Sequence, residues 1–198
     1  MQSALSEIEA KSDLRSIRQT MERSTRYSNF AGLSGVSGGL IALIGMVGQT
    51  RQNDAGWPFI VHWSTVIGAA LLVDYIWTRR RVRTMDKAVV RRLAQRMAAV
   101  ALPGLLAGLA VTLAFVAKGR AMELFPYWML FYGVAMSAVA LMMPKEVTWL
   151  ARSFMILGVA ALALQCNGWR GAGWIGFAFS FGLLHIAYGI YVGVREGW

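Results

Sequence analysis

The chain is poor in the residues from which soluble enzymes build their sites. It has one cysteine, Cys166, in 198 residues. A lone thiol forms no internal disulfide, and no cysteine cluster is available to hold a metal. Only two histidines are present, His62 and His185. Charged residues make up 15% of the chain, against roughly 25% in ordinary globular domains. No catalytic, metal-binding or nucleotide-binding motif stands out. No catalytic residue, metal ligand or cofactor is therefore assigned, and the chain is expected not to be an enzyme. The first 29 residues are polar and charged, with no apolar core ahead of a cleavage site. A removable signal peptide is not expected.

What is abundant is apolar surface in long blocks. Hydrophobic residues reach 57% and mean hydropathy is +0.49. The blocks run about 18–23 residues, and a helix needs about 20 to cross roughly 30 Å of hydrocarbon. They predict an all-α polytopic membrane bundle of six transmembrane helices in antiparallel hairpins. The expected spans are 30–49, 57–78, 97–117, 124–143, 147–166 and 172–194. A short basic helix is expected between the second and third. Trp57-Pro58 opens the second span, where a proline costs little because its missing N–H would be unpaired anyway. Pro144 is expected to end the fourth. Ahead of the 30–198 membrane domain, residues 1–29 read as a cytoplasmic amphipathic helix. Leu14, Ile17 and Met21 recur at spacings of three and four, with Arg15, Arg18 and Glu22 on other faces.

Net charge is +10, and its placement orients the bundle. Residues 1–29, the 79–96 loop, the 144–152 loop and the tail hold five, eight, two and one Lys or Arg, sixteen together. The other side has Arg51, Lys118, Arg120 and Arg170. Positive residues accumulate on the cytoplasmic side, so both termini are expected there, in a bacterial inner membrane. Because the basic residues sit between apolar blocks, anionic lipid explains them before nucleic acid does. Arg79, Arg80, Arg81, Arg83, Arg91 and Arg92 are the candidate contacts to anionic lipid or to a cytoplasmic protein partner.

Ionisable residues inside spans are functional candidates by default, because hydrocarbon disfavours them. Four polar residues qualify as ligand or proton-path candidates: His185, Tyr188, His62 and Asp74. His185 shares a helical face with Tyr188 and Gly189. That face suits either a small polar pocket or a tight helix contact through Gly189 and Gly193. At 1.5 Å per residue, His62 lies roughly 8 Å and His185 roughly 20 Å below the outer surface. Axial ligands of one haem need similar depth, so this mismatch disfavours a shared haem. Asp74 follows His62 by twelve residues, roughly 18 Å along one helix, which separates them as ligands of one metal. Asp74 is near enough in sequence to Arg79 for an ion pair with that basic cluster. Glu123 is expected to pair with Lys118 or Arg120. The pairs Gly35/Gly39, Gly104/Gly108 and Gly189/Gly193 permit close helix approach.

Met21-Glu22-Arg23-Ser24-Thr25-Arg26-Tyr27 leads into Leu33-Ser34-Gly35-Val36-Ser37-Gly38. With Phe131-Tyr132-Gly133 and the run from Phe181 to Gly189, these residues resemble a family of uncharacterised bacterial six-helix membrane proteins. The resemblance covers about residues 14–194. It implies a membrane bundle and carries no activity. Some of the family bear the label of carotene-cleaving monooxygenases. Such chemistry needs iron held by several His or carboxylate ligands, and this chain has two histidines at different depths. Taken together, the sequence points first to a non-enzymatic sensor or binding component that engages a cytoplasmic partner or anionic lipid. A small transporter or channel using His185, Tyr188 and Asp74 is the alternative, and a haem- or pigment-binding subunit the third.

Overall fold

The structure, a computed structural model, describes residues 31–50, 56–81, 87–143 and 145–196. The expected amphipathic segment 1–29 lies outside the described residues. Among those described, every regular element is helical. Helix α1 is Ala31–Thr50, α2 is Trp57–Arg81, α3 is Lys87–Ala117, α4 is Phe125–Ala140 and α5 is Lys145–Cys166. A single turn of 3₁₀ helix, Ala121–Glu123, precedes α4. The last helix, α6, has three consecutive parts: Ala172–Phe177, a π-helical stretch Ala178–Leu184, and His185–Glu196.

Five of these helices are long and apolar enough to cross a membrane. The fourth is the exception. At 16 residues it is about 24 Å long, short of roughly 30 Å of hydrocarbon. The expected 124–143 span is trimmed because Leu141–Met143 tighten into a turn. There Met142 and Met143 bond carbonyls three residues back, a common way to close the last turn of a helix.

A second difference concerns α3. The expected basic helix and third span are one continuous helix of 31 residues with Pro103 inside it. No breaker separates Arg96 from Met97, and Leu, Ala, Gln and Arg all favour the helix. Pro103 removes one backbone bond without ending the element, as membrane-type helices tolerate.

Small residues decide which helices touch. Helix α1 packs on α2 and on the second half of α6. Gly32 and Gly35 lie so close to Gly193 and Gly189 that an added Cβ would sit 3.1 Å from their Cα atoms. Gly39 sits against the Gly182 carbonyl. Helix α4 packs on α3 and α5, with Gly104 against Ala135, Gly108 against Phe131, and Gly133 against Met155. All three expected glycine pairs thus serve close helix contacts. The outward face of α3 carries exposed Leu102, Leu105, Leu106, Leu109 and Leu113.

One end of the helices carries Trp57, Phe125 and Ala172, and the other carries Arg80, Lys145 and Arg195. Near the Trp57 end the core is made of rings. Trp63 meets Phe125, Trp128 and Phe177 edge-on at centroid distances of 5.6, 5.4 and 5.1 Å. Each such pair adds about 0.5–1.5 kcal/mol beyond burial. Trp63 Nε1–H also donates to the Oε1 of buried Gln49, at 3.0 Å.

Candidate functional site

The ring column continues down α6 and ends in polar atoms. Phe177 stacks on Phe181 at 4.4 Å, and Phe181 stacks on His185 at 5.7 Å with the planes 18° apart. This ladder of every fourth residue runs through the π-helical stretch. There the i→i+5 pairing brings the Ser180 carbonyl level with residue 185. His185 Nδ1 is 3.3 Å from that carbonyl, and Nε2 is 2.9 Å from Tyr132 Oη on α4. Phe154 of α5, wholly buried, closes the side at 5.2 Å from the imidazole and 4.7 Å from the Tyr132 ring.

These contacts assign the protons. A carbonyl only accepts, so Nδ1 carries the hydrogen and donates to Ser180. In a neutral imidazole Nε2 is then the acceptor. Tyr132 must therefore donate its hydroxyl proton to Nε2. Phe154 and Phe181 flank the ring, and among the described residues no carboxylate bonds it. The consequence falls on Tyr132. Its proton is committed, and its oxygen presents only lone pairs to anything else.

Tyr132 and His185 nonetheless keep part of their surface accessible, as does Tyr188. Tyr188 packs against the same core. Asp74 is exposed on α2, and the Ser34 hydroxyl of α1 donates to its Oδ1. The ion pair expected between Asp74 and the basic cluster from Arg79 is not made by the two members whose side chains are described. Neither Arg79 nor Arg80 pairs with it among the described residues, and Arg80 instead lies over the Trp77 ring at 5.5 Å. Of the four candidates, His185 thus bonds Tyr132, Tyr188 packs against the same core, and Asp74 bonds Ser34 of α1.

His62 does not join them. Its Nε2–H donates to the Gly45 carbonyl at 2.8 Å. Its ring lies edge-on to Trp63 at 5.5 Å, and Gly48 leaves the space it occupies. It packs between α1 and α2. Both ring nitrogens of His185 and Nε2 of His62 are thus engaged by protein atoms. Among the described residues no group of three or more His, Cys, Asp or Glu is placed to hold a metal ion.

The sequence reading missed Tyr132 and Ser34 as members of this site. For Tyr132 a signal existed. A tyrosine far from either end of an apolar helix needs a partner for its hydroxyl. Ser34 carried none, being one small residue among many in α1.

The aromatic contacts that join α2 to α4 and α6 fall on Phe59 and Trp63. Both belong to the Trp57 half of α2. Further along, Ile67, Leu71, Leu72, Tyr75 and Ile76 are exposed. The Arg80 half of α2 is held chiefly by α1, and Asp74 lies in that half.

Of the basic candidates, Arg79, Arg80, Arg91 and Arg92 are exposed. Arg81 closes α2, and Arg83 lies outside the described residues. At the Trp57 end, Arg120 holds Glu123 in the expected local pair, Nε to Oε1 at 2.7 Å. The hydrogen bond from Arg120 and its charge keep the Glu123 carboxyl below its ordinary range. At the Arg80 end, Arg195 bonds Glu146 and the Tyr191 hydroxyl, which ties α6 to α5. No family model, curated protein or solved structure matches the chain.

Proposed function

We propose that this chain is a multi-pass bacterial inner-membrane protein of six spans, with both termini cytoplasmic. We further propose a small, non-enzymatic transporter or ligand-binding protein whose site is formed by Tyr132, His185, Tyr188 and Asp74. Five membrane-length helices and the short α4 together support an even number of crossings. Sixteen basic residues on one side against four on the other support the orientation. On that reading the Arg80 end is cytoplasmic.

One observation carries the functional reading. Asp74 presents an exposed carboxylate on a membrane-length helix, answered by the neutral Ser34 hydroxyl of α1. Ionisable groups at such positions face bundle interiors or water-filled cavities. Among the described residues the Arg80 half of α2 makes no ring contacts to α4 and α6, and its exposed face supports access to Asp74 from outside the bundle. A satisfied His185 imidazole suits binding and selectivity better than covalent chemistry. The test is solute and proton flux in proteoliposomes. Flux is expected to fall at least about tenfold in His185→Ala, since a buried hydrogen-bond partner is removed. No flux of protons, ions or small metabolites by the parent protein would sink the transporter form.

The cytoplasmic surface favours a second reading, in which residues 1–29 and the 79–96 loop engage anionic lipid or a cytoplasmic protein. Exposed Arg79, Arg80, Arg91 and Arg92 support it, each worth about 1 kcal/mol near an anionic surface. Deleting residues 1–28 should weaken binding to anionic vesicles or to a captured partner. Unchanged binding of both kinds would remove this reading.

A further inference from the structure

Arg152 is an exposed cation well inside a membrane-length helix. It follows Lys145, the first residue of α5, by seven positions, roughly 10 Å along the axis. Its guanidinium lies over the exposed ring of Trp149, 5.7 Å from the centroid. A ring face attracts the cation but leaves its N–H donors to be met elsewhere. Among the described residues none accepts from them. Glu146, the carboxylate of α5, is bonded by Arg195 of α6. Further along α5 the same stripe turns apolar. Trp149, Arg152, Ile156 and Val159 recur at spacings of three and four, and Ile156 and Val159 are exposed. The other face of the helix, with Leu150, Phe154, Gly158 and Ala161, is buried. An unpaired cation thus heads an apolar strip.

We propose that this stripe binds an anionic phospholipid, its phosphate on Arg152 and an acyl chain along Ile156 and Val159. The site is separate from the Tyr132–His185 pair and from the Arg79–Arg92 surface, and it rests on α5 being a span. A guanidinium takes phosphate oxygens in two parallel, charge-assisted bonds, and its long stem reaches toward the headgroups. Free phosphate would meet the cation and leave the strip bare. A zwitterionic lipid carries its own cation beside the phosphate, which weakens the attraction.

Phosphatidylglycerol and phosphatidylcholine analogues with a diazirine in the acyl chain test this on the unmodified full chain in bilayer nanodiscs. Labelled positions are mapped by peptide mass spectrometry. The reference is residues 102–113 of α3, an exposed leucine face without a basic residue. Relative to it, labelling of residues 149–159 by the glycerol analogue is expected to exceed that by the choline analogue at least about fivefold, as one basic side chain near anionic lipid implies. Arg152→Gln should bring that ratio below about two, while Arg170→Gln, at the Trp57 end, leaves it unchanged. The parent comparison needs no variant, so it decides the matter even if Arg152→Gln fails to fold. Equal labelling by the two analogues overturns the proposal, as does loss of labelling to inorganic phosphate at matched ionic strength. Absence of labelling by either also overturns it, and cross-links between copies through α5 would give the face to a second copy. Release of the chain from membranes by alkaline carbonate removes the span reading and the lipid site together. Retention with equal labelling removes the lipid site alone.

Discussion

Gly189 is where the structure makes its sharpest demand on the sequence. A Cβ placed there would lie 2.5 Å from both the Gly32 carbonyl oxygen and the Val36 nitrogen of α1. Both are backbone atoms, so no rotamer change relieves the clash. Ordinary contact begins at 3.4 Å, so α1 and α6 must part by the difference, 0.9 Å. A gap of that size forfeits a quarter to a half of each van der Waals well of about 0.1–0.2 kcal/mol. Summed over the atom pairs of the interface, Gly189→Ala then costs about 1–3 kcal/mol, the usual range for overpacking. Gly38→Ala is the control, since an added Cβ there meets nothing within 4 Å. Both substitutions gain the same helix propensity, so it cancels in the difference. Denaturation of the purified variants in mixed micelles, followed by circular dichroism, measures that difference. A gap below about 0.5 kcal/mol would refute the close α1–α6 contact, because overpacking against backbone costs more than that.

Other consequences are smaller or more local. Trp63→Phe removes the donor to Gln49 Oε1 and should cost about 0.6–1.7 kcal/mol, the span of polar contacts between apolar helices. The same denaturation assay checks it, and a loss under about 0.3 kcal/mol contradicts the bond. Glu123 has a lowered folded pKa caused by Arg120, so its contribution is present at neutral pH. That contribution disappears as pH falls through the lowered value, below the ordinary carboxylate range. Its side chain and that of Arg120 are 38% and 59% exposed, so after solvent screening the effect is at most about 0.5 kcal/mol. Stability of the parent and of Arg120→Gln measured from neutral to acid pH should converge at the acid end. Nitrogen-15 resonances of labelled histidine should show His185 protonated on Nδ1. The Nε2–H form would contradict the proton assignment at Tyr132 and, with it, the acceptor character of the site.

How far the sequence reaches depends on what kind of information each feature holds. Helix positions are written locally in runs of apolar residues, so five helices both begin and end within a few residues of expectation. The exceptions have local physical causes. Arg96 and Met97 lack a breaker between them, which fuses two expected helices into α3. Three-residue turn bonds at Leu141–Met143 trim α4. The π-helical stretch has no comparable mark. It shows only when Gly182 of α6 meets α1, where an added Cβ would strike the Leu43 side chain, and when Ser180 needs to face His185.

Pairings between helices are a different matter, and here polarity and size speak unequally. Glycine spacing marks a surface for close approach but does not name the partner. Gly35 and Gly189 each advertised a contact without pointing to the other. Depth along a helix excludes partners more securely than it identifies them. The twelve-residue separation keeps His62 and Asp74 apart on any bundle geometry, and His62 indeed packs elsewhere, against Gly45. The same depth reading did not bring Tyr132 to His185. It compared depths along two helices and left out Tyr132, whose long side chain on α4 carries its hydroxyl to His185 Nε2. A rigid ring with one polar atom at its tip can unite groups from separate helices within an otherwise apolar core. The proton on that oxygen is directed by a carbonyl on α6, so the character of the site rests on the π-helical register of that helix.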